Sequence, residues 1–114
     1  VIMEYNGNEE NIIIPNEYNG KTISRIGSFA FYGNESIKSL VVNNNIETIG
    51  GLCFASCQNL ESIIFTQGGS CEIGHCAFRG CEKLKSIDLS GVSILRASCF
   101  AWCTGLTNVN VLKM

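Results

Sequence analysis

Charge is scarce in this chain. Only 16% of its 114 residues are Asp, Glu, Lys or Arg, and the formal net charge is −2. A nucleic-acid partner or an anionic membrane surface calls for a basic stripe, and none is present, so neither partner is expected. Long apolar runs are missing as well. Ile12, Ile13 and Ile14 make a strand's worth of apolar sequence, far short of the roughly 20 residues that span a bilayer. No basic segment followed by an apolar stretch opens the chain. Beginning at Val1, it reads as trimmed, which leaves secretion open. There is no phosphate-cradling loop, no nucleophile elbow and no convergent acid/base pair, so neither an enzyme nor a bound cofactor is expected. A chain of 114 residues is long enough for one core and too short for two.

Cysteine, by contrast, is abundant. Seven occur, and three of them share the stretch CEIGHCAFRGC, residues 71 to 81, with the only histidine, His75. Taken alone the stretch suggests a metal or redox site, but a residue that recurs at a fixed period belongs to an architecture. Sliding Ile49–Phe65 forward by 24 lands it on Ile73–Leu89 with the apolar positions coinciding. Shifting back by 23 gives Ile26, Gly27, Phe31, Asn34, Ile37, Leu40 and Val42. A further 22 forward gives Leu95, Phe100, Cys103, Leu106, Val109 and Val111. Four copies therefore cover residues 23 to 111, with a period in the range of leucine-rich repeats.

Within each copy, the runs ending at Val42, Phe65, Leu89 and Val111 alternate inward and outward side chains with period two, which predicts a strand. Strands repeating every two dozen residues can lie parallel only if the chain crosses back between them, so the expected fold is an α/β solenoid: a right-handed leucine-rich-repeat coil with a short-stranded parallel sheet. The crossing segment IGxxxFxxC is short, and short helical or 3-10 turns are expected there on the convex side. Residues 1–22 read as an N-terminal capping hairpin and lead-in segment, with the hairpin joining Ile2–Tyr5 to Ile12–Ile14 across Asn6-Gly7-Asn8. Residues 23–114 read as about four repeats of the same domain.

The cysteines sort by column. Cys57, Cys81 and Cys103 share one with Asn34, just ahead of the strand, where such a side chain satisfies backbone groups near the turn. Cys53 and Cys99 share another with Ala30 and Ala77, and Cys76 stacks with Phe29, Leu52 and Ser98; at these places a thiol acts as a small hydrophobe. His75 shares its column with Ser28, Gly51 and Ala97 and faces solvent. Zinc needs four converging ligands, whereas Cys71, His75, Cys76 and Cys81 straddle one crossing segment, so no metal site is read. A nucleophile pair lacks an orienting group beside His75. Disulfides within a turn, Cys53 to Cys57 and Cys99 to Cys103, are disfavoured by their spacing. A bridge from Cys57 to Cys81 between turns stays open, and Cys71 falls in the Gly68-Gly69-Ser70 insertion, where it is expected to be accessible.

The outward strand positions form rows. Lys38, Glu61, Lys85 and Thr107 make one, with alternating charges; Ser39, Ser62, Ser86 and Asn108 make the next; Val41, Ile64, Asp88 and Asn110 make the third. Val41 and Ile64, exposed apolar neighbours, are the leading candidates for partner contact. Trp102 shares its column with Gly33, Ser56 and Gly80, where a large ring must protrude, as a binding hot spot or as a shield for the last turn. Leu112, Lys113 and Met114 make no polar cap, so the natural chain is expected to continue or its C-terminal edge strand to self-associate. Asn34-Glu35-Ser36 matches a glycosylation sequon but falls in the inward column and is set aside.

The pattern IGxxAFxxCxxLxSIxI, as it stands in Ile73–Leu89, resembles the BspA-like leucine-rich repeat, and IIIPNEYNGKTISRIG at residues 12–27 is similar to that family's lead-in. Two copies drift, with Arg96 in place of the Gly and Cys99 in place of the Ala. The resemblance implies a bacterial secreted or cell-surface protein that engages another protein, including host matrix or cell-surface molecules, in an adhesion role and without catalytic activity.

Overall fold

The computed structural model describes residues 2–66 and 69–110. Eleven short strands are formed among them: β1 (Asn11–Ile13), β2 (Glu17–Tyr18), β3 (Lys21–Thr22), β4 (Arg25–Ile26), β5 (Ser39–Val42), β6 (Thr48–Ile49), β7 (Ser62–Phe65), β8 (Cys71–Ile73), β9 (Ser86–Asp88), β10 (Val92–Leu95) and β11 (Asn108–Asn110). They assemble into two parallel sheets, ordered β1-β5-β7-β9-β11 and β10-β8-β6-β4, with β2 and β3 pairing antiparallel as a separate ribbon. From β4 to β10 the chain makes three complete turns of a solenoid.

Strand alternation follows the expected period. Leu40, Val42, Ile63, Phe65 and Ile87 point inward and are buried, while Ser39, Val41, Ser62, Ile64 and Asp88 point outward. The second sheet is an addition to the sequence reading. Its strands are two to four residues long, too short to display a period, and they precede each crossing segment with a buried residue at Ile26, Ile49 and Ile73.

No helix forms among the described residues, which corrects the expected α/β class and its helical or 3-10 convex side: the solenoid is all-β. The reason lies in backbone conformation. Phe29, Leu52, Cys76 and Ser98 share one column and all have φ between 55° and 64°. Gly33, Ser56, Gly80 and Trp102 share another and have φ between 60° and 78°. A left-handed residue every fourth position prevents consecutive right-handed turns, so no helix can propagate. Each crossing segment is instead a chain of overlapping β-turns, closed by bonds such as Ala30 N to Gly27 O and Asn34 N to Phe31 O. The left-handed residue takes the third place of these turns, as a type II turn demands. The remaining N–H groups donate to the next coil: Leu52, Phe54 and Ser56 to the carbonyls of His75, Ala77 and Arg79, at 2.9, 2.7 and 2.8 Å. Alternate amides of residues 52–57 thus close turns and stack coils.

This stacking brings the inward rings into file. Tyr5, Phe31, Phe54, Phe78 and Phe100 have successive centroids 4.9, 4.8, 5.3 and 5.7 Å apart, with interplanar angles of 27°, 19°, 3° and 8°. Offset stacking of this kind adds to the energy of burial. The coils also approach closely at glycine. A Cβ on Gly50 would lie 2.4 Å from Ser28 N, and one on Gly74 would lie 2.8 Å from Gly51 N, so that column admits no side chain between these coils.

The N-terminal segment differs from the expected hairpin. Ile2 bridges Ile26 and β1 pairs with Ser39–Val41, both in parallel, so Ile2–Ile14 add an abbreviated coil of their own and do not pair with each other. The Asn-Gly turn is real but lies elsewhere. Asn19 and Gly20, at φ 52° and 79°, join β2 to β3, and two consecutive positive φ angles are what a type I′ hairpin turn requires.

Candidate partner-binding face

The outward face of the five-stranded sheet is built by successive repeats in register. Register places Ile13, Val41, Ile64 and Asp88 side by side on β1, β5, β7 and β9, with Asn110 backbone-paired to Asp88 on β11. Ile13 is 72% exposed, Ile64 52%, and Val41 is half-buried between them. Asp88 accepts a hydrogen bond from Ser90 N at 2.9 Å, which turns the chain out of β9. The neighbouring row Asn11, Ser39, Ser62, Ser86 is uncharged, with Ser39 Oγ donating to Asn11 Oδ1 at 2.7 Å.

At the edge of this face stand the alternating charges. Glu61 N donates to Lys38 O and Lys85 N to Glu61 O, so these residues stack coil upon coil, and Thr107 N continues the file onto Lys85 O. Glu10 extends it at the other end, its Oε1 3.7 Å from Lys38 Nζ. Both partners are largely exposed, which makes this pair a register mark more than a source of stability. From Ile13 to Ile64 the outward row offers apolar contact, and Asp88 ends it.

The cysteines lie apart from this face. Cys57 Sγ donates to Phe31 O at 3.2 Å, Cys81 Sγ to Phe54 O at 3.2 Å and Cys103 Sγ to Phe78 O at 3.0 Å, each reaching the carbonyl of the preceding coil. In the first full coil Asn34 takes that column: its Nδ2 donates to Gly7 O and its Oδ1 accepts from Ser36 N and Ile37 N. All seven thiols are free. Burial pushes the thiols of Cys53, Cys57 and Cys71 from 9.0 up to about 12. Among the described residues no group of three His, Cys, Asp or Glu converges as a metal site, and His75 is exposed. Cys71 corrects the expectation of accessibility. It is buried on β8, two positions before Ile73 and on the same inward side.

Residues 4–114 match the BspA type leucine rich repeat region, in six copies. The chain belongs to this family. Its fold is similar to a leucine-rich repeat protein from Bacteroides capillosus, at 26% identity over 90% of this chain and 77% of that one, with a TM-score of 0.76. It is likewise similar to the leucine-rich repeat protein of T. pallidum, at 21% identity and TM-score 0.67, covering 94% of this chain and 61% of that one. A leucine-rich cell surface protein from Faecalibacterium prausnitzii matches at 20% identity and TM-score 0.72, covering 96% of this chain and 37% of its own. The BspA-type chain thus spans under two thirds of the length of two of these three proteins. No curated protein matches it.

Of the residues singled out in the sequence, this BspA-type coil gathers Val41, Ile64, Asp88 and the backbone of Asn110 into one row, and Lys38, Glu61 and Lys85 into the adjoining file. The Asn110 side chain and residues 111–114 lie outside the described residues. Trp102 is 67% exposed with φ 63°, but it sits on a crossing segment, away from the strand face. Ile13 is the member of the apolar row that sequence reasoning missed. Asn11-Ile12-Ile13-Ile14 matches Ser39-Leu40-Val41-Val42 at a spacing of 28, and the β2–β3 ribbon between them lengthens the interval beyond the 22 to 24 searched. Among the described residues no helix is long and apolar enough to cross a bilayer.

Proposed function

We propose that this chain is a non-catalytic protein-binding module of a secreted or cell-surface bacterial protein, and that it meets its partner through the outward face of the five-stranded sheet, in an adhesion role toward host matrix or cell-surface protein. The observation that carries the reading is the row Ile13–Val41–Ile64: three stacked apolar side chains, two of them more than half exposed, between Asp88 at the end of their own row and a neighbouring row of Asn11, Ser39, Ser62 and Ser86. Apolar residues set on a rigid, lightly charged surface can be desolvated at small penalty, which is what an interface centre needs. The cell-surface name of the Faecalibacterium structure agrees with the proposed setting. The thiols of Cys57 and Cys81 are committed to the core and its carbonyls.

The test uses Ile13→Asp and Ile64→Asp, singly and together, against immobilised extracellular-matrix extract. Capture by the parent chain should be lost in the double variant while its thermal unfolding stays unchanged. Undiminished capture by a folded double variant rejects the strand face.

A second reading, a structural spacer or self-associating stalk, has its own observation. β10 and β11 each pair on one side only, and Ile94 and Leu95 on β10 are 42% and 45% exposed, whereas the equivalent Ile73 one coil back is fully buried. Sedimentation at increasing concentration should then show association. Strictly monomeric behaviour at millimolar concentration removes this reading.

A further inference from the structure

The apolar row runs across the strands, not along one. Ile13, Val41 and Ile64 are register partners on β1, β5 and β7, so the stripe is one residue wide and follows the solenoid axis. On each strand the outward residue two positions earlier is polar: Asn11, Ser39 and Ser62. A partner lying parallel to the strands therefore meets one apolar side chain, whereas a partner lying along the axis meets all three. Adjacent strands are about 4.8 Å apart, so Val41 and Ile64 stand about 4.8 and 9.6 Å from Ile13, and Asp88 follows at about 14.4 Å.

That spacing discriminates among partner backbones. An α-helix rises about 1.5 Å per residue and presents residues i, i+3, i+7 and i+10 on one face, the last three at about 4.5, 10.5 and 15.0 Å. Each falls within about 1 Å of a member of the row, a difference that side-chain rotamers absorb. An extended strand presents every second residue, about 6.8 Å apart, and is about 4 Å out of step by the third contact. A polyproline helix returns to one face about every 9.3 Å, which matches Ile13 and Ile64 and leaves Val41 without a counterpart. The charges beside the row keep the same interval. Glu10, Lys38, Glu61 and Lys85 alternate in sign coil by coil. One flank of a helix answers such a file with opposite charges three or four residues apart, which also stabilise the helix itself.

We propose that the partner of this face presents an amphipathic α-helix laid along the solenoid axis, with apolar residues at i, i+3 and i+7 on Ile13, Val41 and Ile64 and a basic residue at i+10 facing Asp88. The inference rests on the strand-face reading proposed above and names the kind of surface that reading requires.

The experiment titrates the isotope-labelled 114-residue chain with three synthetic peptides and follows its backbone amides by nuclear magnetic resonance. Each peptide has about 13 residues, the length of helix that spans the five strands. The first is a lactam-stapled helix with Leu at i, i+3 and i+7 and Lys at i+10. The second is an extended peptide with Leu at i, i+2 and i+4. The third is proline-rich with Leu at every third position. The helical peptide should shift the amides of Ile13, Val41 and Ile64 saturably and bind at least about tenfold more tightly than either of the others. Ile64→Asp should abolish those shifts, and Glu in place of the peptide Lys should weaken binding. Equal or tighter binding of the extended or proline-rich peptide at the same amides overturns the helix while the strand face stands. No saturable shift with the helical peptide, or shifts confined to residues outside β1, β5 and β7, also overturns it, and matrix capture by the Ile13→Asp, Ile64→Asp double variant then judges the strand face separately. The comparison among peptides needs only the parent chain.

Discussion

Gly50 and Gly51 are neighbours in sequence, and alanine at the two should have opposite consequences. At Gly50 the new Cβ would meet Ser28 N at 2.4 Å, Gly27 C at 2.7 Å and Ser28 Cα at 2.8 Å, all of them backbone of the preceding coil. A normal contact needs at least about 3.4 Å, so the coils must part by roughly 1 Å. That movement stretches the bond from Gly50 N to Ile26 O, now 2.8 Å, and the one from Phe29 N to Gly51 O, now 3.2 Å. Two weakened hydrogen bonds at about 1 kcal/mol each, together with overpacking of about 1 to 3 kcal/mol, predict a loss of about 3 to 5 kcal/mol for Gly50→Ala. At Gly51 the Cβ would approach only His75 O, at 3.3 Å, and the same column already carries Ser28, His75 and Ala97 in other coils. Gly51→Ala should therefore fall within about 1 kcal/mol of the parent, helped by the reduced freedom of its unfolded chain. Urea unfolding followed by far-ultraviolet circular dichroism measures both. Equal stability of Gly50→Ala and the parent, or equal damage at the two sites, refutes the close stacking of coils.

Phe78→Ala should cost about 3 to 5 kcal/mol, because it removes a buried ring from the middle of the stack and the coils on either side cannot collapse without losing their ladder bonds; a loss of unfolding free energy under about 1 kcal/mol in denaturant titration would be incompatible. The left-handed column predicts a pair of opposite signs by the same measurement. Gly80→Ala places a Cβ at φ 78° and should destabilise by about 1 kcal/mol, whereas Ser56→Gly, at φ 60°, should be neutral or stabilising by less than that; reversed signs count against the turn geometry. Alkaline stability follows from the thiols of Cys53, Cys57 and Cys71, which ionise near 9.0 in the unfolded chain and near 12 in the fold. Their contribution is complete below pH 9 and is lost as pH rises from 9 toward 12, by about 1.4 kcal/mol per pH unit for each thiol as an upper bound. Unfolding free energy flat between pH 8 and 11 would show those thiols to be solvated.

How legible the molecule was depended on the length of each signal. The runs ending at Val42, Phe65 and Leu89 are four apolar-alternating residues at near-constant spacing, and they became β5, β7 and β9 in register. The same columns ordered Phe31, Phe54, Phe78 and Phe100 and turned the cysteines from a suspected site into parts of the wall. What escaped was of two kinds. β4, β6 and β8 have no period to read, and because no strand was seen there Cys71 was assigned to an exposed insertion. The crossing segments have helix-like spacing but a backbone choice, positive φ at Leu52, Cys76, Ser98 and Trp102, that those residue types disfavour and that only stacking against neighbouring coils enforces. Gly33 and Gly80 in the Trp102 column were the available clue. Two Asn-Gly pairs competed for the hairpin, and the true one, Asn19-Gly20, was flanked by polar strands that offered no hydrophobic pattern. For the candidate site, the apolar row was half legible: Val41 and Ile64 followed from the repeat, while Ile13 lay one inserted ribbon out of phase.

The fold consists of coils stacked residue upon residue. Aromatic nuclear Overhauser contacts in the folded chain read that stacking directly. The prediction is strong ring-to-ring contact for Tyr5–Phe31, Phe31–Phe54, Phe54–Phe78 and Phe78–Phe100, whose centroids lie 4.8 to 5.7 Å apart, and none between rings two coils apart. Rings that show no contact with their neighbours, or Phe31 touching Phe78, would contradict it.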